Sequence, residues 1–251
     1  MDHQEKKELQ RKFINPELCD ITEALVYTEP YNDERGRNRV FPPIADFVKE
    51  KLYEDQGLHC EVAKLKMDFM TRAQSLIHGD LHTGSIFINE ESTKVFDPEF
   101  CFYGPMGYDI GNVIANMIFA WANGDAAGAA DFCKWVEDVL VDVINMTKEK
   151  MEKYYDEHVT DTMCRNELYK KYYMDTIIED TSAVAGLELI RRIVGMANVK
   201  DITTIADEAK RARAEKICIT AAIDFIKNRS DKKCGKCFLK TLKDAIAEVD
   251  A

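Results

Sequence analysis

Long hydrophobic runs, an excess of positive charge and a regular cysteine frame are all missing from these 251 residues, and each absence excludes a class of function. The most apolar stretch, Ile110 to Ala122, is interrupted by Gly111, Asn112 and Asn116. It is too short and too polar to cross a bilayer, so it reads as a buried core helix. The start, Met1 through Lys7, is charged and has no apolar segment behind it, so no export signal is legible there. Asp and Glu outnumber Lys and Arg by 45 to 34, a formal charge of -11. Such a surface repels polyanions, which argues against nucleic acid or an anionic membrane as partner, although a local basic pocket can still take a phosphate.

The eight cysteines, at 19, 60, 101, 133, 164, 218, 234 and 237, follow no disulfide-scaffold spacing. In a chain of this size without an export signal they read as reduced thiols, and the expected location is the cytoplasm. Cys234-Gly-Lys-Cys237 has metal-ligand spacing, but a structural zinc needs four ligands and no second Cys/His pair accompanies it. The pair is read as two ordinary thiols.

Apolar residues make up 46% of the chain, enough for a sizeable core. Residues 1–40 are polar and rich in turn signals (Asn15-Pro16, Glu29-Pro30, Asn32 to Gly36), which predicts short helix and loop. Pro42-Pro43 opens a helix running to about Gln56, with Ile44, Phe47, Val48 and Leu52 at helical spacing, and Gly57 is read as its end. A second helix is predicted over about 60–74, with Val62, Leu65 and Phe69 on one face. Between 75 and 100 the period changes: Ser75 to Ile77, Ile86 to Ile88 and Thr93 to Phe96 read as short strands, and Asn89 to Ser92 is a hairpin-sized connection. Beyond Tyr108 the pattern predicts helices over about 109–122, 126–155, 165–180, 182–197, 211–228 and 235–250. Trp121 and Trp135 are read as core.

The informative segment is His78-Gly-Asp80-Leu-His-Thr-Gly-Ser85, followed by the hairpin and then Asp97-Pro98-Glu99. A carboxylate stands after one strand, and two more stand seventeen and nineteen residues later, after two further strands. A hairpin of that length folds back, so Asp97 and Glu99 can return close to Asp80. Phosphoryl transfer needs one carboxylate to orient a hydroxyl and accept its proton, and others to hold magnesium on a triphosphate. Asp80 suits the first task; Asp97 and Glu99 suit the second. Gly79 and Gly84 relax the backbone where side chains crowd around phosphates.

HGDLHTGS followed by DPEF resembles the catalytic and magnesium-binding loops of the aminoglycoside and choline phosphotransferase group, and within it the methylthioribose kinase family most closely. Ser85 in place of the group's usual Asn, and Pro98-Glu99 after Asp97, both fit that family, as does the run from Phe100 to Asn112. The resemblance implies an ATP- and magnesium-dependent kinase that phosphorylates 5-methylthioribose to its 1-phosphate in methionine salvage. It implies Asp80 as the catalytic residue, also touching substrate, and Ser85, Asp97, Pro98 and Glu99 around ATP and magnesium. His78 is expected as a buried residue bonded to the catalytic-loop backbone, Gly79 as further structural support, and Asp109 either as the cap of the helix it opens or as a brace for the catalytic loop. Of the adjacent Arg191 and Arg192, on a helix otherwise apolar at Ile190, Ile193, Val194 and Ala197, the resemblance implies that one or the other would hold the sugar and offset phosphoryl charge. From periodicity alone, a salt bridge is the commoner use of such a pair.

The implied fold is mainly α: the C-terminal lobe of a protein-kinase-like fold, residues 41–251, a helical bundle whose small β-hairpin carries both loops. Residues 1–40 are a short N-terminal remnant. The N-terminal β lobe is expected to be absent, because only Gly36 and Gly57 precede His78 and there is no G-x-G-x-x-G and no Val-Ala-x-Lys strand. The chain alone is therefore expected to be weak or inactive. The expected partners are the sugar and either a separately made small lobe or a second copy of the chain. Two other readings share these residues. One is a non-catalytic kinase remnant that binds a ligand or a protein. The other is a choline, aminoglycoside or homoserine phosphotransferase, which Ser85, Glu99 and the arginine pair speak against.

Overall fold

Three helix starts are fixed by side chains that cap orphan backbone N–H groups. Asp55 accepts from Leu58 N at 2.9 Å, Asn166 from Tyr169 N at 2.8 Å, and Asp207 from Ala209 N and Lys210 N at 2.9 and 3.0 Å. The computed structural model describes residues 3–251; Met1 and Asp2 of the charged start lie outside the described residues. Three helices come first: α1 (His3–Lys12), α2 (Pro16–Tyr27) and α3 (Glu29–Asn32). The helix expected after Pro42 is composite: a 3₁₀ turn (Pro42–Ile44), α4 (Ala45–Val48) and a π turn (Lys49–Tyr53). Gly57 does not end it. Asp55 caps the next helix, α5 (Gln56–Thr71), and Gly57 lies in its first turn.

Four three-residue strands follow: β1 (Ser75–Ile77), β2 (Ile86–Ile88), β3 (Thr93–Val95) and β4 (Phe102–Gly104). The β2–β3 hairpin is as expected, with Ile86 opposite Val95 and Ile88 opposite Thr93. Its turn is tied by Asn89, whose Oδ1 accepts from the N–H groups of Glu91 and Ser92. Strand β4 was not expected; it pairs antiparallel with β1, Ser75 opposite Gly104 and Ile77 opposite Phe102.

The rest is helical: α6 (Tyr108–Ala127), α7 (Ala130–His158), α8 (Glu167–Val194), α9 (Lys200–Thr203), α10 (Glu208–Lys227) and α11 (Gly235–Val249). Two helices were expected across 165–197; one 28-residue helix stands there. The polar triplet Asp180-Thr181-Ser182 reads as a break, but its hydroxyls are satisfied within the packing. Thr181 Oγ1 donates to Ile177 O at 2.9 Å and Ser182 Oγ to Phe225 O at 2.9 Å. From Ile177 to Ile190 every residue of α8 except Glu179 is buried, so α8 is the central rod, with α6 and α10 packed along it. At Gly186 a side chain would stand 2.5 Å from the carbonyl of Ala222, so the α8–α10 approach demands glycine. Val26, Tyr27 and Tyr31 of the N-terminal helices join the same hydrophobic core.

Trp121 is core as expected, its Nε1 donating to the buried Glu137 at 3.0 Å. Trp135 is not: it is 59% exposed and stacks on Phe132 across α7's outer face. Among the described residues, no helix is long and apolar enough to cross a membrane.

One buried charge gives the fold a pH signature. Asp180 is 7% exposed and accepts from Arg72 at 2.8 Å, while its other oxygen has no partner among the described residues. Burial pushes this carboxyl up to about 6; Arg72 opposes that, and Asp68 and Glu179 add to it. A folded-state pKa above the unfolded value of about 3.9 means stability that is full below pH ~4 and lost as pH rises through about 6. Relative to Asp180→Asn, the wild-type protein is expected to lose about 2 kcal/mol between pH 4 and pH 7. Urea unfolding of both proteins at the two pH values measures the difference, and parallel stabilities would contradict the assignment.

Candidate active site

The loop after β1 and the turn after β3 are stitched together by backbone and imidazole. His78 Nε2 donates to Phe96 O at 2.9 Å, which leaves Nδ1 to accept from Asp80 N–H over a long 3.4 Å. Phe96 N–H in turn donates to Ser85 O at 3.2 Å. His78 is half-buried, less enclosed than expected, but its bonds to loop backbone are those expected of it. Gly79 is buried with φ +85°, and a side chain there would meet the Phe100 carbonyl at 2.3 Å. Only glycine lets the Asp80 loop lie against the segment that follows Glu99. Beneath the loop, Asp109, in the first turn of α6, accepts from His78 N at 2.7 Å and from Gly79 N at 3.0 Å. Burial raises the Asp109 carboxyl's pKa, and these two bonds work against the rise. Asp109 braces the loop; it does not cap its own helix.

Asp80 emerges from this cradle toward the C-terminal end of α8. Arg191 Nη2 donates to its Oδ1 at 2.8 Å, and Arg192 Nη2 lies 3.7 Å from the same oxygen. Both guanidinium Nε groups donate to Glu188, Arg192 at 2.9 Å to Oε1 and Arg191 to Oε2. Glu188 is 1% exposed. Its burial would raise its pKa, but the two guanidiniums outweigh that and hold it below the usual carboxylate range. For Arg191 the balance is the mirror image: burial lowers its pKa, and Glu188 and Asp80 together drive it up. The result is a four-charge cluster, two positive and two negative, with Asp80 as its most solvated member at 28% side-chain exposure.

Glu188 is the residue that sequence reasoning missed. Its signal was available: it stands three and four positions before the arginines, the spacing at which helix side chains meet. Salt-bridged arginines and arginines at the site are here the same residues.

Asp97 takes the left-handed conformation, φ +66° and ψ +51°, which Asp tolerates better than most residues at a cost of order 1 kcal/mol. It begins a 3₁₀ turn, Pro98–Phe100, and Asp97, Pro98 and Glu99 are all exposed. The turn is moored from the N-terminus, where Asn15 Nδ2 donates to Glu99 O at 2.8 Å and Cys101 O at 3.2 Å. Neither the Asp97 nor the Glu99 carboxylate has a protein partner among the described residues. Two unpaired hard-oxygen donors fit a magnesium ion, which takes one or two carboxylates and fills its shell with phosphate and water. Among the described residues no three acidic, histidine or cysteine side chains form a closed metal cluster, so a dedicated protein cage is absent. Ser85 is placed differently from its expected neighbours. It is 3% exposed, and its hydroxyl pairs with His82 Nε2 at 3.2 Å, closing the loop on itself.

The profile of the phosphotransferase enzyme family (APH) matches residues 13–140. Methylthioribose kinase 1 of rice (Oryza sativa subsp. japonica) is 37% identical over 247 residues, covering 91% of this chain and 56% of that protein. Methylthioribose kinase of Bacillus pumilus is 37% identical over 222 residues, 88% of this chain and 55% of its own length. That of Escherichia coli O45:K1 is 35% identical over 244 residues, 91% and 58%. The chain thus spans somewhat more than half the length of the curated relatives it matches.

Proposed function

The chain belongs to the phosphotransferase enzyme family, and from that premise we propose that it is the large lobe of an ATP-dependent kinase for 5-methylthioribose. The product is 5-methylthioribose 1-phosphate, an intermediate of methionine salvage made in the cytoplasm. Asp80 orients the sugar hydroxyl and takes its proton. Arg191 and Arg192 hold the sugar and face the transferring phosphoryl group. Asp97 and Glu99 hold magnesium, which when bound neutralises charge on the triphosphate. Ser85 serves this site through the loop it closes with His82. One observation carries the reading: a single carboxylate, bonded by Arg191 with Arg192 beside it, on a loop that Asp109 braces from below and that is in contact with a turn bearing two unpaired carboxylates.

The β2–β3 hairpin supports the lobe assignment. Phe87 and Phe96 stack at 4.6 Å, and Phe87, Ile88 and Val95 are 65%, 75% and 51% exposed. Apolar rings in water on a two-stranded ribbon are poorly stable unless something covers them. A small lobe, in the same polypeptide or supplied separately, is the cover that the family's fold provides; a second copy of the chain is the other candidate.

Calorimetry with 5-methylthioribose, and a magnesium-dependent ADP-release assay, test the proposal. Binding is expected with the chain alone, and turnover only when the N-terminal half of the Bacillus pumilus relative is supplied. Binding that never leads to turnover would favour a non-catalytic remnant. Turnover of choline, an aminoglycoside or homoserine in preference to methylthioribose would move the substrate assignment.

A further inference from the structure

The pair Cys234 and Cys237 lies outside the site described above and is set apart from the other six cysteines. Cys234 is the N-cap of α11 and Cys237 its third residue, and their sulfurs are 3.0 Å apart. Cys237 N–H donates to Cys234 O at 2.9 Å, so the first turn itself brings the two thiols together. The turn is anchored: Gly235 N donates to Asn145 Oδ1 of α7 at 2.9 Å, and Phe238 is fully buried against Phe225. Both sulfur-bearing residues are half-buried, open enough for a small reagent. By contrast, Cys133 and Cys218 are buried and burial pushes their thiols up, and Cys19 is raised to about 11.

We propose that Cys234 and Cys237 are a redox site, a dithiol that converts reversibly to a disulfide by exchange with small-molecule disulfides of the glutathione class. Cys237 is the attacking group. Burial acts to raise its thiol, but the hydrogen bonds from the Cys234 side chain and from the backbone of Lys233 and Cys234, just ahead of α11, outweigh burial and hold it below its ordinary value. Lys232 contributes in the same direction, although its ammonium is itself paired with Asp224 at 2.6 Å. The Cys237 thiolate attacks one sulfur of the small disulfide and displaces one thiolate, which takes up a proton. Cys234 then loses its proton to solvent and attacks the Cys237 sulfur of the mixed disulfide, releasing the second thiol. Two electrons pass from the protein sulfurs to the small disulfide, which leaves as two thiols, and excess thiol runs the sequence backward. A metal site is the competing use of such a pair. Among the described residues, however, no third ligand joins it.

The test uses the full chain, reduced and then equilibrated with mixtures of reduced and oxidised glutathione, alkylated and read by peptide mass spectrometry. The expected result is loss of alkylation at both residues together, with the peptide lighter by two hydrogens, and full reversal in excess reduced glutathione. Cys234→Ser should trap Cys237 as a glutathione adduct, and Cys237→Ser should leave Cys234 largely alkylatable. Serine is a favoured N-cap, so Cys234→Ser is expected to fold, and its far-UV dichroism checks this. If both cysteines remain alkylatable under conditions that modify the exposed Cys60, or if either joins another cysteine instead, the proposal is overturned.

Discussion

With the N-terminal half of the Bacillus pumilus relative supplied, Asp80→Asn is expected to lower magnesium-dependent transfer to 5-methylthioribose by about 10²- to 10⁴-fold, the range for loss of a positioned general base. The same change should leave the fold almost untouched. Asparagine has the shape of aspartate and keeps an oxygen to accept from Arg191 Nη2, now 2.8 Å away. The charge it removes is a partly solvated one, and the buried Glu188 still pairs with both guanidiniums. Melting should therefore move by no more than the equivalent of about 1 kcal/mol. Sugar affinity should change only a few-fold, since the arginines proposed to hold the sugar stay in place. A large loss of rate with little loss of binding or stability is the pattern of a group that acts in the transition state. Undiminished turnover would remove Asp80 from the chemistry, and a collapse of the melting temperature would make it a structural residue.

How much of this was legible in the sequence depends on the range of the contacts. The hairpin was readable because Asn89 to Ser92 is a local turn between β-rich triplets, and the helices because their apolar faces recur every three or four residues. Strand β4 was not readable. Three residues, Phe102 to Gly104, carry no period, and what makes them a strand is the distant pairing with β1. The continuity of α8 was hidden for a related reason: Asp180, Thr181 and Ser182 look like a break until Arg72, Ile177 and Phe225 are seen to satisfy them. Trp135 was misread because burial of a tryptophan is a tendency of the residue type, whereas helix phase decides which face of α7 it occupies. At the site, the order Asp80, Asp97, Glu99 was visible as spacing. The brace from Asp109 was one of two alternatives, and the structure favours it over capping.

The local and distant contacts meet at Glu188. Glu188→Leu is expected to destabilise the protein by about 3–5 kcal/mol, because removing one partner of a buried ion cluster leaves the other charges uncompensated. For a chain of this size, that corresponds to roughly a 10 °C fall in melting temperature. Leucine fills the space, so the loss measures charge and not a cavity. Glu188→Gln separates stability from positioning. It keeps acceptor oxygen for one guanidinium, so the fold should lose less, but the arginines then have only Asp80 as a carboxylate partner. Drawn more tightly into ion pairs, Asp80 becomes a weaker base and the arginines a weaker sugar clamp, so both kcat and methylthioribose affinity should fall. A purely structural role would leave both unchanged once the protein is folded. The two acidic residues share the same guanidiniums, so in a double-mutant cycle Asp80→Asn and Glu188→Gln should be coupled by more than about 0.5 kcal/mol. Additive losses, or a Glu188→Leu protein that melts with the wild type, would mean that Glu188 does not hold the arginines where the proposed chemistry needs them.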